Sequence, residues 1–115
     1  MEHRMGFVEF VWLPSFTRSS RPPLGFDDQR ELELSLTEDP ERGALLEGTG
    51  GFRSVEVPGE GMGEGHDVHV VYFYVPHRER IYLLLAHRES AGHGLTAPER
   101  AELRRLSAII ERGTD

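Results

Sequence analysis

The sequence has no cysteine, so neither a disulfide framework nor thiolate chemistry is open to it. It has no lysine either: all thirteen basic residues are arginine. A lysine-free, glycine-rich chain reflects the coding bias of a GC-rich genome and carries no function of its own. Long apolar runs are also missing. None exceeds the length of Ile81–Ala86, far short of the roughly 20 residues a membrane-spanning helix needs. Met1–Gly6 lacks the apolar segment of a secretory signal, so the expectation is a cytoplasmic protein with no membrane partner. Positive charge is scarce relative to negative, and the formal net charge is −7. Most of the excess lies before Gly51, where ten carboxylates face five arginines. Such a chain is a poor generic binder of nucleic acid, because affinity for phosphates comes mainly from neutralising them.

The 115 residues, 37% of them hydrophobic, suffice for one modest core. A single domain over residues 1–115 is expected. Phe7–Trp12 reads as a first strand, ended by Pro14. Ser15–Arg21 reads as a helical turn stopped by Pro22-Pro23. Glu31–Leu36 alternates as a strand would. The leading Asp27 and Asp28, the Leu32/Leu36 spacing and the good helix formers favour a helix over about 27–37 instead. Gly48–Gly51 is a turn, Phe52–Val57 a short strand, and Pro58–Gly65 a glycine-rich loop. Val68–Val75 and Arg80–His87 are the strongest strands, and the short link between them suits a hairpin. The near-continuous apolar run of the second implies burial on both faces. Thr96-Ala97-Pro98-Glu99 is a capping box opening a helix to about Arg112, with Leu103, Leu106 and Ile110 as its apolar stripe. Trp12, Phe7 and Phe10 are expected in the core.

Chemistry-bearing residues gather at one place. Four of the six histidines, His66, His69, His87 and His93, fall near the open end of the hairpin. If paired residue numbers sum to 156, His69 lies directly opposite His87; a shift of one residue puts Ala86 there instead. Two close imidazoles can act as general base and general acid. Cleavage of RNA by its own 2′-hydroxyl needs such a pair and a cation for the phosphate, which Arg53 or Arg88 can supply. Two other readings stay open. The histidines are also consistent with plain surface residues at strand ends. His66-Asp67-Val68-His69 with His87 or His93 has metal-ligand types, but positions i and i+3 of a strand point to opposite faces, and no metal is expected. The glycine-rich loop lacks the Walker pattern and does not lead into a helix, so it reads as loop geometry. Arg100, Arg104 and Arg105, with Glu102 and Glu111 nearby, read as a solvated helix face; a contact for nucleic acid or an acidic partner is the alternative.

Several strings in order carry a family resemblance: Phe7-Val8-Glu9 then Ser15-Phe16-Thr17; Leu36-Thr37-Glu38-Asp39-Pro40-Glu41-Arg42-Gly43; Gly48-Thr49-Gly50-Gly51-Phe52-Arg53. Val70-Val71-Tyr72-Phe73-Tyr74, Ile81-Tyr82-Leu83-Leu84-Leu85-Ala86 and Leu95-Thr96 continue it. From about Phe7 to Ile110 the chain resembles the RelE/ParE superfamily of toxins from bacterial toxin–antitoxin modules, in its HigB-like RelE branch. The resemblance implies an α+β fold, a compact antiparallel sheet with two N-terminal helices and a C-terminal helix. It also implies a toxin that cuts mRNA on the ribosome without metal or cofactor, in a basic, tyrosine-bearing cleft, and that is neutralised by a cognate antitoxin encoded beside it.

This sequence departs from that pattern in one direction. Ser54 and Glu56 follow Arg53 where alternating basic residues are usual. Met62 and Glu64 occupy the loop, His69 opens a strand usually opened by arginine, and His87 ends one usually ended by tyrosine. Glu89-Ser90-Ala91 replaces a Lys-Asn-Glu-type segment. Coding bias does not produce this, since lost lysines should return as arginines. The expected site therefore places His69 and His87 as the acid–base pair with Arg53 as the catalytic cation, and Arg88, His66 and Tyr72 on the substrate. The alternative is a relative without nuclease activity that works by binding a protein.

Overall fold

The computed structural model describes residues 2–13, 26–58, 67–88 and 97–113. Among the described residues six strands form one sheet: β1 (Glu2–Met5), β2 (Val8–Trp12), β3 (Ala44–Leu45), β4 (Arg53–Pro58), β5 (Asp67–Val75) and β6 (Arg80–Arg88). Their spatial order is β1-β2-β6-β5-β4-β3. Helix α1 (Phe26–Glu38) precedes β3, and α2 (Ala97–Arg112) follows β6.

The hairpin is present: β5 and β6 pair antiparallel and are joined through a 3-10 turn at Pro76–Arg78. Its register has a break that the sequence did not signal. Paired numbers sum to 156 from Val68↔Arg88 to Val71↔Leu85, and to 155 from Tyr72↔Leu83 onward. Leu84 is therefore the extra residue of a bulge.

The expected sheet and helix set need correction. The sheet is mixed, not antiparallel, because β2 runs parallel to β6, with Phe10 beside Ile81 and Trp12 beside Leu83. Among the described residues one helix, not two, precedes the hairpin, giving two helices in place of three. The helical turn expected over 15–21 and the cap at Thr96 lie outside the described residues. Two strands were not anticipated. β1, Glu-His-Arg-Met, has no apolar alternation and pairs with β2 through the Gly6–Phe7 turn. β3 is only two residues long, and both are exposed.

Both faces of the central strands are covered. On one face Leu32 and Leu36 of α1 pack with Val8, Phe10, Trp12, Val70, Tyr72, Ile81 and Leu83. On the other Leu103 and Ile110 of α2 pack with Phe52, Val71, Phe73 and Val75. This is why β5 reads as a continuous apolar run: even positions face α1 and odd positions face α2. α1 itself resolves the ambiguous alternation. Leu32 and Leu36, one turn apart, are buried, whereas Leu34 is half exposed. Glu33 is buried too, and accepts a hydrogen bond from the Trp12 indole at 2.6 Å. Phe7, expected in the core, is instead 78% exposed at the β1–β2 turn. No helix among the described residues is long and apolar enough to cross a membrane.

The turn before β4 is pressed against α2. Gly50 has φ +79, and a Cβ there would overlap the Ser107 hydroxyl. Left-handed backbone and close approach both require glycine here. Gly50→Ala should lower the unfolding free energy by at least about 1 kcal/mol in urea titration. An unchanged midpoint would show that this turn does not bear on α2.

Candidate functional site

The bulge falls after Val71, so the open half of the hairpin keeps the register that sums to 156. His69 accordingly faces His87. On its other side His69 faces Glu56 of β4. Directly paired residues share a face of the sheet, so positions 56, 69 and 87 form one row across three strands. The His69 Nε2 and a Glu56 carboxylate oxygen are 3.2 Å apart. Both side chains reach solvent, His69 at 26% exposure and Glu56 at 48%. In the neutral ring, an Nε2–H donated to Glu56 leaves Nδ1 as the acceptor nitrogen. This gives a carboxylate-held imidazole with a second histidine next to it in register.

The other expected site residues are not part of this row. Arg53 pairs with Tyr72, three positions along from Glu56 and His69. Three residues along a strand reverse the side, so Arg53 and Tyr72 belong to the α1 face and the histidine row to the opposite one. The Arg53 guanidinium is engaged locally, donating to the carbonyls of Glu41 (3.0 Å) and Gly43 (2.7 Å). It braces the chain between α1 and β3, on the face opposite the histidine row.

Tyr72 is fully buried. Its hydroxyl accepts from the Gly43 N–H at 2.9 Å and donates to the Pro40 carbonyl at 2.9 Å. Burial raises its pKa, and the bond from Gly43 only partly opposes that. Both functions of the hydroxyl are thus occupied inside the core. Gly43 is what admits it: a Cβ there would lie 2.8 Å from the Tyr72 oxygen.

Arg88 is paired with Val68, one residue beyond His87, and alternation puts it on the face opposite the row. His66 lies outside the described residues. Thus the backbone register pairs His69 with His87, and strand alternation separates Arg53 and Tyr72 from that row.

Glu56 was legible in the sequence only as a lost basic residue. The pairing of β4 with β5 supplies its second meaning, as the partner of His69. Its strand lies near the sheet edge, because β3 covers only Arg53 and Ser54. Glu56 therefore also borders a groove of about 260 Å³ lined by Asp28, Glu31, Leu32, Ser35, Arg42 and Val55. Three carboxylates face one guanidinium there, so this edge is acidic. No protein-family model matches the chain.

Tyr72→Phe tests the assignment of Tyr72 as a structural tie. It leaves the Gly43 N–H and the Pro40 carbonyl without their buried partner and should cost about 1–3 kcal/mol in chemical denaturation. The raised pKa adds a pH signature. Below the ordinary tyrosine value near 10, folded and unfolded states are both protonated and the contribution is whole. As pH rises through and beyond that value the unfolded chain ionises first, and stability should fall. Tyr72→Phe should flatten that alkaline decline, and an unchanged slope would refute the tie.

Proposed function

We propose that this chain is the toxin component of a type II toxin–antitoxin module and acts in the cytoplasm by cutting mRNA on the ribosome, with His69 and His87 as the acid–base pair. The observation that carries the reading is the in-register pairing of the two histidines, with Glu56 holding the His69 ring at 3.2 Å. Attack by a 2′-hydroxyl needs one group to take its proton and another to protonate the leaving oxygen. Two imidazoles, one as base and one as acid, can meet both needs without a metal or cofactor. The family resemblance over residues 7–110 supplies the substrate class and the antitoxin as partner. In this reading the pair replaces the arginine and tyrosine usual at these two strand ends.

A second reading is favoured by a different observation. Arg53 and Tyr72 are committed to the chain between α1 and β3, and the groove beside Glu56 is acidic. A carboxylate about 4 Å from a phosphate repels it by roughly 1 kcal/mol in water and more where water is excluded. An acidic edge of this kind suits a basic protein segment better than RNA. The chain would then be a relative of the toxin class that has lost cleavage and works by protein binding.

Expression of the chain alone in a bacterium, with mapping of mRNA 5′ ends, separates the two. The first reading predicts growth arrest and ribosome-phased cuts, with cleavage reduced at least about 100-fold in His69→Ala/His87→Ala, the usual contribution of general acid–base groups. Soluble, folded wild-type protein that neither arrests growth nor generates new mRNA ends would sink it in favour of the second.

A further inference from the structure

We propose that this chain forms a weak two-fold dimer through one flank of α2, with a second copy of the chain seated on the groove between α2 and β6. The groove holds about 430 Å³ and its floor is apolar, made by Leu84 of β6 with Leu103, Leu106 and Ile109 of α2. Leu103 is buried in the core, but Ile109 is 44% exposed. Tyr82, Leu84 and Leu106 pack on the α2 layer yet stay only partly buried, so the layer is not closed along this flank.

The charges along the flank identify the occupant. Residues 102, 105, 106, 109 and 112 follow three- and four-residue spacings and form one stripe of α2. The stripe is acidic at its start, where Glu99 and Glu102 border the groove, and apolar at Leu106 and Ile109. It is basic at its end, where Arg112 stands in the last turn. Such a surface is complementary to itself when two copies meet antiparallel, because in a two-fold contact residue i meets j and j meets i. With the axis midway between Leu106 and Ile109, Leu106 of each copy lies level with Ile109 of the other. Glu102 then lies within one residue, a rise of about 1.5 Å, of Arg112 of the second copy. Inside one copy Glu102 accepts from Arg105, and both side chains are exposed. A carboxylate has acceptor sites left for a second guanidinium. The net charge of −7 repels two copies, but salt at physiological strength screens this beyond about 8 Å. The pairs at the ends of the stripe act at contact. One helix flank is small beside the roughly 1,200–2,000 Å² of stable complexes, so the dimer is weak. It does not depend on RNA being cut.

The test is sedimentation equilibrium of the full-length chain from about 1 μM to about 1 mM, the span of weak association. The expected result is a mass that rises reversibly from one chain toward two. Amide chemical shifts should change with concentration along residues 102–112 and at Leu84. Ile109→Asp puts a charge into the apolar centre and should weaken the dimer at least about tenfold. Glu102→Arg and Arg112→Glu should each weaken it about fivefold or more. Made together, the two reversals should regain most of the lost affinity, because opposite charges meet again across the axis. Glu111→Arg makes the same change of net charge as Glu102→Arg, off the stripe, and should dimerise as wild type does. A single-chain mass at every concentration would overturn the proposal. So would a dimer that Ile109→Asp leaves intact, or a double reversal that recovers nothing. If a variant fails to fold, the wild-type shifts decide the matter, and changes confined to other elements refute the α2 interface.

Discussion

The β5–β6 hairpin is apolar on both faces, and neither face is stable against water. Tyr72 and Ile81 point one way, Val71 and Phe73 the other, and all are buried. At roughly 25 cal/mol per Å² of apolar surface, covering such strands outweighs any local preference of the segments that do the covering. That demand explains the role of α1. Its sequence alternates as a strand does, yet Leu32 and Leu36 one turn apart are what the sheet face needs. It also accounts for β2, which lies in parallel beside β6 and adds Phe10 and Trp12 to the same layer. α2 closes the other face with Leu103 and Ile110.

Once both faces are filled, strand alternation decides where chemistry can sit. Residues one position apart serve different layers, and residues three apart do so as well. His69 and Tyr72 are therefore neighbours in sequence on opposite sides of the sheet. Tyr72 enters the α1 layer, where its hydroxyl joins Pro40 and Gly43 and fixes the return of the chain from α1. Arg53, its partner on β4, binds the carbonyls of Glu41 and Gly43 from the same side. Together they form a brace in which a phenol and a guanidinium satisfy backbone groups that a loop would otherwise leave to water. The histidine row stands on the far side and is independent of that brace.

What was legible in the sequence follows from which signals are local. The hairpin, α1 and α2 were legible because each carries its own period, cap or turn residues. The opposition of His69 and His87 was legible as one of two registers, and only the position of the bulge separates them. Had the extra residue fallen before His69 instead of after Val71, Ala86 would have stood in place of His87. The strand β1 was not legible, because Glu-His-Arg-Met has no apolar pattern and exists by pairing with β2. The parallel alignment of β2 with β6 was not legible either, since it joins segments about 70 positions apart. The partners of Arg53 and Tyr72 were not legible for the same reason. Residue type suggested a cation and a phenol for a cleft, and only the partners across space show that both are occupied.

Glu56 links the readings of the site. As an anion it opposes a phosphate, and as the partner of His69 at 3.2 Å it orients the ring. Under the proposed RNA-cutting reading these effects act on different steps: repulsion opposes binding of RNA, while ring orientation bears on proton transfer once RNA is bound.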